Sequence, residues 1–432
     1  MTPQIKQRID QIRRGEVPEG YKKMKSDIIP EEWTSYLLSD IYTERKESGI
    51  PSLPILTVSI HSGVSDGALD DDELGKKVKR IEDKTQYRTA HSGDLVFNMM
   101  RAWQGAIGVV RSDGLVSPAY IVATPDKSAI YPPFMDYYMK TPQMVNRIHR
   151  KSYGVTDFRL RLYWDSFAMI GCAIPPLPEQ KKIAEILSAQ DKLIALKEKL
   201  IEEKKRRKKY LMQQLLTGKK RLPGFSGEWK RFSFSESFTF MTTNTLSRDC
   251  MTVEHTRVKN IHYGDILTKY AEVLDCEKVQ LPYIKNAMIP QTTEFLQNGD
   301  IVIADTAEDL AVGKAIELQN VNEMKILSGL HTLFCRPVKD IFCPGWLGYY
   351  LNSDAYRTQL IPLICGVKVS SISKKSILNT IISTPTIEEQ KAIVTIFSNA
   401  NRELDLLNRD LDQEKQKKKA LMQLLLSGVV RV

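Results

Sequence analysis

Residues 179–218, EQKKIAEILSAQDKLIALKEKLIEEKKRRKKYLMQQLLTG, return as residues 389–428, EQKAIVTIFSNANRELDLLNRDLDQEKQKKKALMQLLLSG. The offset is 210 positions throughout, without a gap. Identities include Ile183/Ile393, Ile186/Ile396, Ser188/Ser398, Leu211/Leu421, Met212/Met422, Gln213/Gln423, Leu215/Leu425 and Leu216/Leu426. A duplication on this scale governs the architecture before any single residue does. Each copy opens with helix-start chemistry. The first reads Pro175-Pro-Leu-Pro178-Glu-Gln, with proline suited to the first helical turn and a carboxylate at the positive end of the helix dipole. The second opens Thr386-Ile-Glu-Glu389, the spacing of a capping box. Each copy closes at Gly218 or Gly428 behind a Leu-Leu pair, as a glycine stop does. The roughly 39 residues between start and stop contain no glycine or proline and would span about 58 Å if wholly helical. Ser188 and Ser398 mark the places where a short break would fall.

The apolar residues of the two copies repeat every seventh position. Leu187, Ile194, Ile201 and Leu215 share one register, as do Phe397, Leu404, Leu411 and Leu425. The step missing from each series is basic, Lys208 in one copy and Lys418 in the other. Ile186, Leu193 and Leu200 flank the first series; Ala400, Leu407 and Leu421 flank the second. So narrow a stripe suits a coiled-coil seam, and a long helix with one apolar stripe needs a partner. The other copy is the obvious partner, packed antiparallel about a pseudo-twofold axis.

Outside the helices the duplication is fainter but present. Gly93-Asp-Leu-Val-Phe97 is answered by Gly299-Asp-Ile-Val-Ile303, each read as a turn followed by a period-two strand. Ser117 of VSPAY corresponds to Ser328 of LSGLH, Tyr131–Pro142 to Phe342–Asp354, and Tyr153-Gly154-Val155 to Cys365-Gly366-Val367. The N-terminal Gln11-Ile-Arg-Arg-Gly15, followed by PEGY and Glu32-Trp33, echoes Leu215–Gly218 followed by LPGF and Glu228-Trp229. The expected plan is domain, helix, domain, helix: residues 1–22 complete a circular arrangement, 23–174 and 223–384 are two related domains, and 175–222 and 385–432 are helical spacers.

Charge concentrates in the first helical copy. The 432-residue chain carries a formal net charge of +10, and Glu179–Leu222 holds fourteen Lys/Arg against six Asp/Glu, a balance of +8. A basic helix is either a solvated face or a surface for nucleic acid. No apolar run reaches the ~20 residues of a membrane span, and the first residues, MTPQIKQRIDQIRRGEVPEG, lack a signal-peptide core. The six cysteines contain no Cys-x-x-Cys pair, which fits reduced thiols in the cytoplasm rather than a zinc site or a disulfide framework.

Candidate chemistry is sparse. Tyr131-Pro-Pro-Phe134 invites comparison with the Asn/Asp-Pro-Pro-aromatic motif of amino-group DNA methyltransferases, but a tyrosine stands where that motif needs a carboxylate or amide. We read it as a structural turn before a helix. Asp70-Asp-Asp-Glu73 beside Lys76 and Lys77 has no strand frame and reads as a solvated loop rather than a nuclease centre. The six histidines lack ligand spacing, and no phosphate-cradling GxxxxGK[ST] is present. No catalytic and no metal-binding constellation is expected. Basic, aromatic and amide side chains do interleave as nucleic-acid contacts require. The candidates are Arg101, Trp103, Gln104, Lys151, Tyr153, Arg159 and Arg161 in the first domain, and Lys314, His331, Lys368 and Ser370 in the second.

The order of domain, PPLPEQKKIAEIL…LMQQLLTGKKRLPGFSGEW, domain, TPTIEEQKAIVTIF…LMQLLLSG resembles the specificity subunit of type I restriction–modification enzymes over essentially the whole chain. The second helix start departs from the first, reading TPTIEEQ instead of PPLPEQ. The resemblance implies an α+β fold, with two target recognition domains, each α/β with a small sheet, separated by helices that form an antiparallel coiled coil. It also implies an asymmetric bipartite target in double-stranded DNA, one half per domain, and no catalysis by this chain. The implied partners are two modification (methyltransferase) subunits and further restriction subunits, with S-adenosylmethionine, ATP and Mg belonging to those partners. A specificity subunit working with a fused nuclease–methylase partner and a stand-alone DNA-binding coiled-coil scaffold remain as alternatives. A self-sufficient modifying enzyme would need the cofactor loop and base-binding motif that the sequence lacks.

Overall fold

The computed structural model describes all residues except 1, 2, 25, 26, 61, 62, 66–80, 155, 157, 158, 292, 293, 339 and 367. Asp70–Glu73 with Lys76 and Lys77 therefore lie outside the described residues, as do Val155 and Val367. The chain divides into two units, one of residues 1–198 and 410–432 and one of residues 199–409. Each unit contains one globular segment and about half of each long helix. None of the described helices is long and apolar enough to cross a membrane.

The long helices span Leu177–Leu215 and Ile387–Leu425, 39 residues each, with no break at Ser188 or Ser398. Both stop where glycine takes up a left-handed conformation, Gly218 at φ 69° and Gly428 at φ 72°. Thr386 accepts from the Glu389 amide at 3.4 Å, half of the expected capping box. The other half is absent because the Glu389 carboxylate is engaged by Arg221 instead.

In the first unit, strands β1 (Tyr42–Arg45), β2 (Leu95–Asn98), β3 (Ile107–Val109) and β4 (Tyr120–Pro125) form an antiparallel sheet in the order β1-β4-β2-β3. In the second, β5 (Phe238–Met241), β6 (Val273–Asp275), β7 (Ile301–Ala304), β8 (Ala315–Gln319) and β9 (Thr332–Pro337) follow the order β5-β9-β7-β8-β6. The extra strand β6 lies parallel to β8. The shared frame is visible in equivalent registers: Phe97 faces Ile107 and Ile121, while Ile303 faces Ala315 and Leu333.

The expected inside–outside alternation does not hold for β2 and β7, which are buried along their full length. Leu95 and Phe97 enter one core and Val96 another; Ile301 and Ile303 enter one core, Val302 and Ala304 another. A central strand covered on both faces reads as a continuous apolar run. Before each strand a buried aspartate meets an arginine: Asp94 receives Arg45 Nε at 2.9 Å, and Asp300 receives both Nε and Nη2 of Arg336 at 2.8 and 2.7 Å.

One tie between sheet and helix has changed hands between the units. In the first, Asp136 on the helix Pro132–Tyr138 accepts from the Val109 amide of β3 at 2.9 Å. In the second, Glu317 on β8 accepts from the amides of Gly345 and Gly348 at the start of the helix Trp346–Leu351. Burial pushes the Glu317 carboxyl up to about 7 against the pull of these donors.

The repeated Glu-Gln pair anchors each long helix. Gln180, fully buried, accepts from the Tyr131 amide at 2.7 Å and donates to the carbonyls of Ala129 and Pro175. Gln390 makes the same three bonds to Cys343, Ile341 and Pro385. The Tyr131-Pro-Pro-Phe134 segment is thus a helix-entry turn pinned by a glutamine. Glu179 and Glu389 meet arginines from the tail of the opposite copy. Arg431 Nε lies 2.6 Å from Glu179 within the first unit, and Arg221 Nε lies 2.6 Å from Glu389 within the second. The N-terminal segment joins the first of these clasps, with Tyr21 Oη donating to the Gly428 carbonyl at 2.6 Å and Arg8 to that of Val429 at 2.8 Å.

Within each unit the two long helices lie side by side with opposite chain directions. In the first, Gln190 donates to Glu414 at 2.7 Å, and Lys415 and Lys418 reach Glu198 and Asp191 at 2.6 and 2.5 Å. In the second, Lys204 reaches Glu403 at 2.5 Å. Leu187, Ile201, Leu215, Phe397, Leu411 and Leu425 are buried, while Ile194 and Leu404 are half-buried. The expected flank of the first helix is different. Ile186, Leu193 and Leu200 are exposed, and the half-buried neighbours of the stripe are Lys197 and Lys204. These lysines lay their stems along the stripe and carry their charges to acids of the other helix. Each missing heptad step has the same explanation in both copies. Lys208 lies over the Tyr349 ring and pairs with Glu272, and Lys418 lies over Tyr137 and pairs with Asp191.

Candidate nucleic-acid interface

Three loops meet at one edge of each sheet. In the first unit they are the β2–β3 connection (Met99–Ala106), the turn before β4 (Ser117–Ala119) and the hairpin closed by the Tyr153–Arg161 bridge. Two backbone bonds hold them together: Met99 N to the Ala119 carbonyl at 3.3 Å and Leu162 N to the Met99 carbonyl at 2.9 Å. The second unit repeats both, Asp305 N to His331 at 3.1 Å and Ile372 N to Asp305 at 2.8 Å. Its hairpin is closed by Cys365–Ser371, and the short strands Thr306–Ala307 and Ser370–Ser371 pair alongside.

Six of the seven candidates in the first unit sit on these loops, and Lys151 lies beside them at the end of the helix Pro142–Lys151. Arg101 and Gln104 are exposed on a single 3-10 turn that ends at Gly105, φ 103°. Trp103 is half-buried between Met100, whose carbonyl accepts from Nε1 at 3.0 Å, and the His149 ring, 5.7 Å away. Tyr153 is 58% exposed and rests on Tyr163 with ring centroids 5.3 Å apart. Lys151, Arg159 and Arg161 are exposed. Sequence reading missed Met100, 48% exposed at the loop tip.

In the second unit His331, Lys368 and Ser370 converge on the equivalent surface, but Lys314 does not join them. Its ammonium donates inward to the carbonyls of Tyr270 and Leu267 at 2.9 and 3.3 Å, and burial lowers its pKa. A lysine whose stem follows a glycine turn is indistinguishable in sequence from one that points outward. The loop that carries Arg101 and Trp103 in the first unit reads Asp305-Thr-Ala-Glu-Asp309 in the second, with Glu308 and Asp309 exposed. The equivalent loops therefore carry opposite charge, although Arg101 itself corresponds to Ala307.

A frame repeated twice, with three loops in fixed positions and different side chains on them, can hold two different surfaces against two ligand segments. The family model for the type I restriction modification DNA specificity domain matches residues 54–206. The specificity subunit of the type I restriction enzyme MjaVIII from Methanocaldococcus jannaschii is 25% identical over 437 residues, covering 96% of this chain and 96% of that protein. Over nearly its whole length the chain is thus similar to type I restriction–modification specificity subunits. Solved structures agree on the fold. A chain from a structure describing complex assembly and conformational transition of the type I R-M system aligns with TM-score 0.57 at 18% identity, over 93% of this chain and 99% of that one. The type I S subunit from M. genitalium aligns with TM-score 0.51 at 13% identity, over 91% and 96%. The fold of this chain, long helices with small sheets, is the one those structures share.

Proposed function

We propose that this specificity subunit recognises an asymmetric bipartite target in double-stranded DNA, one half through each three-loop surface. Residues 23–174 and 223–384 act as the two target recognition domains, with 1–22, 175–222 and 385–432 as the closing segment and spacers. The observation that carries the reading is the repeated loop framework with unlike side chains: Arg101, Gln104 and Tyr153 on one surface, His331, Lys368 and Ser370 on the other. Arginine and glutamine can address base edges, lysine can address phosphate, and exposed aromatic rings can pack against sugar or base.

The two long helices act, in this reading, as an antiparallel coiled coil about a pseudo-twofold axis, spanning base pairs that are not read. The oppositely directed contacts within each unit support it. Two equivalent faces of such a pair would receive two modification subunits, and restriction subunits would join through them. Catalysis, with S-adenosylmethionine, ATP and Mg, belongs to those partners.

Methylation-sensitive sequencing of host DNA with and without the gene tests the reading. The expected result is a modified motif of two short blocks separated by unread positions, lost when the gene is removed. An unchanged methylation pattern would contradict it, as would methylation or cleavage by the purified chain alone.

A further inference from the structure

The turn before β9 places an imidazole where the first unit has only a methyl group. His331 occupies the position of Ala119, and its backbone lies at φ +56°. The other described non-glycine residues with positive φ are Asn320 and Asn322, and asparagine adopts that region readily. Side chains held in sparsely populated backbone regions mark places where position matters more than local stability.

The ring is fixed from two sides. Tyr263 meets it edge-on, with centroids 5.3 Å apart and planes at 78°. Thr306 Oγ1 donates to Asp305 Oδ1 at 2.8 Å, which leaves its lone pairs to accept from His331 Nδ1 at 3.2 Å. With the proton on Nδ1, the lone pair on Nε2 is the free acceptor of the neutral ring, and no described residue occupies it. The side chain is nearly half exposed. Around it the loop bears Asp305, Glu308 and Asp309, a field that repels phosphate and attracts amino hydrogens.

We propose that His331 is a base-reading residue of the second unit, its Nε2 accepting a hydrogen bond from the exocyclic amino group of a cytosine or an adenine in the major groove. Cytosine N4 and adenine N6 are the amino donors exposed in that groove, whereas guanine offers only acceptors there. In the first unit the β2–β3 connection, equivalent to the acidic loop beside His331, carries Arg101, whose fork suits guanine. The two surfaces therefore differ in the sense of the hydrogen bonds they demand. The inference rests on the proposed reading of DNA by the second unit.

The test uses the chain assembled with its modification subunits and a library of DNA targets randomised in both half-sites. Wild type is compared with His331→Gly, which accommodates the positive φ, and with Thr306→Val, which removes the acceptor for Nδ1. His331→Gly is expected to lower discrimination at one base pair of the second half-site about tenfold, the effect of one well-placed base contact, and to leave the first half-site unchanged. Thr306→Val is expected to weaken the same base pair. The pair selected there by the wild type, C·G or A·T in either orientation, identifies the donor as cytosine N4 or adenine N6. Unchanged selectivity in His331→Gly, or uniform loss of affinity across all sequences, would each overturn the inference while leaving the bipartite reading intact. A wild-type complex that selects no bipartite target would overturn both.

Discussion

Aspartate at position 397 is expected to prevent the second unit from folding, whereas aspartate at position 406, nine residues along the same helix, is expected to change its stability by no more than about 0.5 kcal/mol. Phe397 is fully buried and packs on Tyr349 with centroids 5.1 Å apart, in a core that also holds Trp346, Leu347 and Ile393. Truncating a buried phenylalanine costs about 3–5 kcal/mol through lost burial and the cavity left behind. A carboxylate without a partner adds a penalty of at least a further ~2 kcal/mol. Together these approach or exceed the ~5–15 kcal/mol that holds a domain folded. Leu406 is 57% exposed and loses little. Urea unfolding followed by tryptophan fluorescence separates the cases, because Trp229 and Trp346 report on the second unit. Equal midpoints for Phe397→Asp and the parent would contradict the placement of the helix against that core.

A second large effect is expected from length. Four residues inserted within Glu198–Glu203 lengthen the first long helix by about 6 Å and rotate its downstream half by only about 40° beyond a full turn. Six ångströms is close to two base pairs at ~3.4 Å each. If the helices hold the reading surfaces apart, both half-sites keep their sequences while the unread spacer grows, or binding is lost where the opposed helix cannot follow. Selection from targets with variable spacers measures this. Recognition of the original spacer with undiminished affinity would show that the helices do not set the distance.

Much of this architecture was legible because duplication writes its constraints twice. Glu179-Gln180 and Glu389-Gln390 recur because each glutamine closes the same three bonds and each glutamate the same clasp. The clasp itself left a signal in Arg221 and Arg431, also 210 positions apart, but sequence does not say that each arginine serves the opposite helix. The heptad stripe was legible as periodicity. Its flank was not, because Lys197 and Lys204 cover apolar surface with their stems while Ile186 and Leu193 do not. The reading surfaces were legible only as patches of residue types. Arg101 and Tyr153 stand on them, Lys314 turns inward to two carbonyls, and the left-handed backbone of His331 depends on a turn whose geometry no local pattern announces.

The central claim is that each unit reads its own half of one target. Replacing residues 27–170 by those of a relative with a different first half-site, then reading the modified motif by methylation-sensitive sequencing, tests it most directly. The predicted result is a new first half, with the second half and the spacer unchanged. A motif in which both halves change, or neither does, would contradict the account.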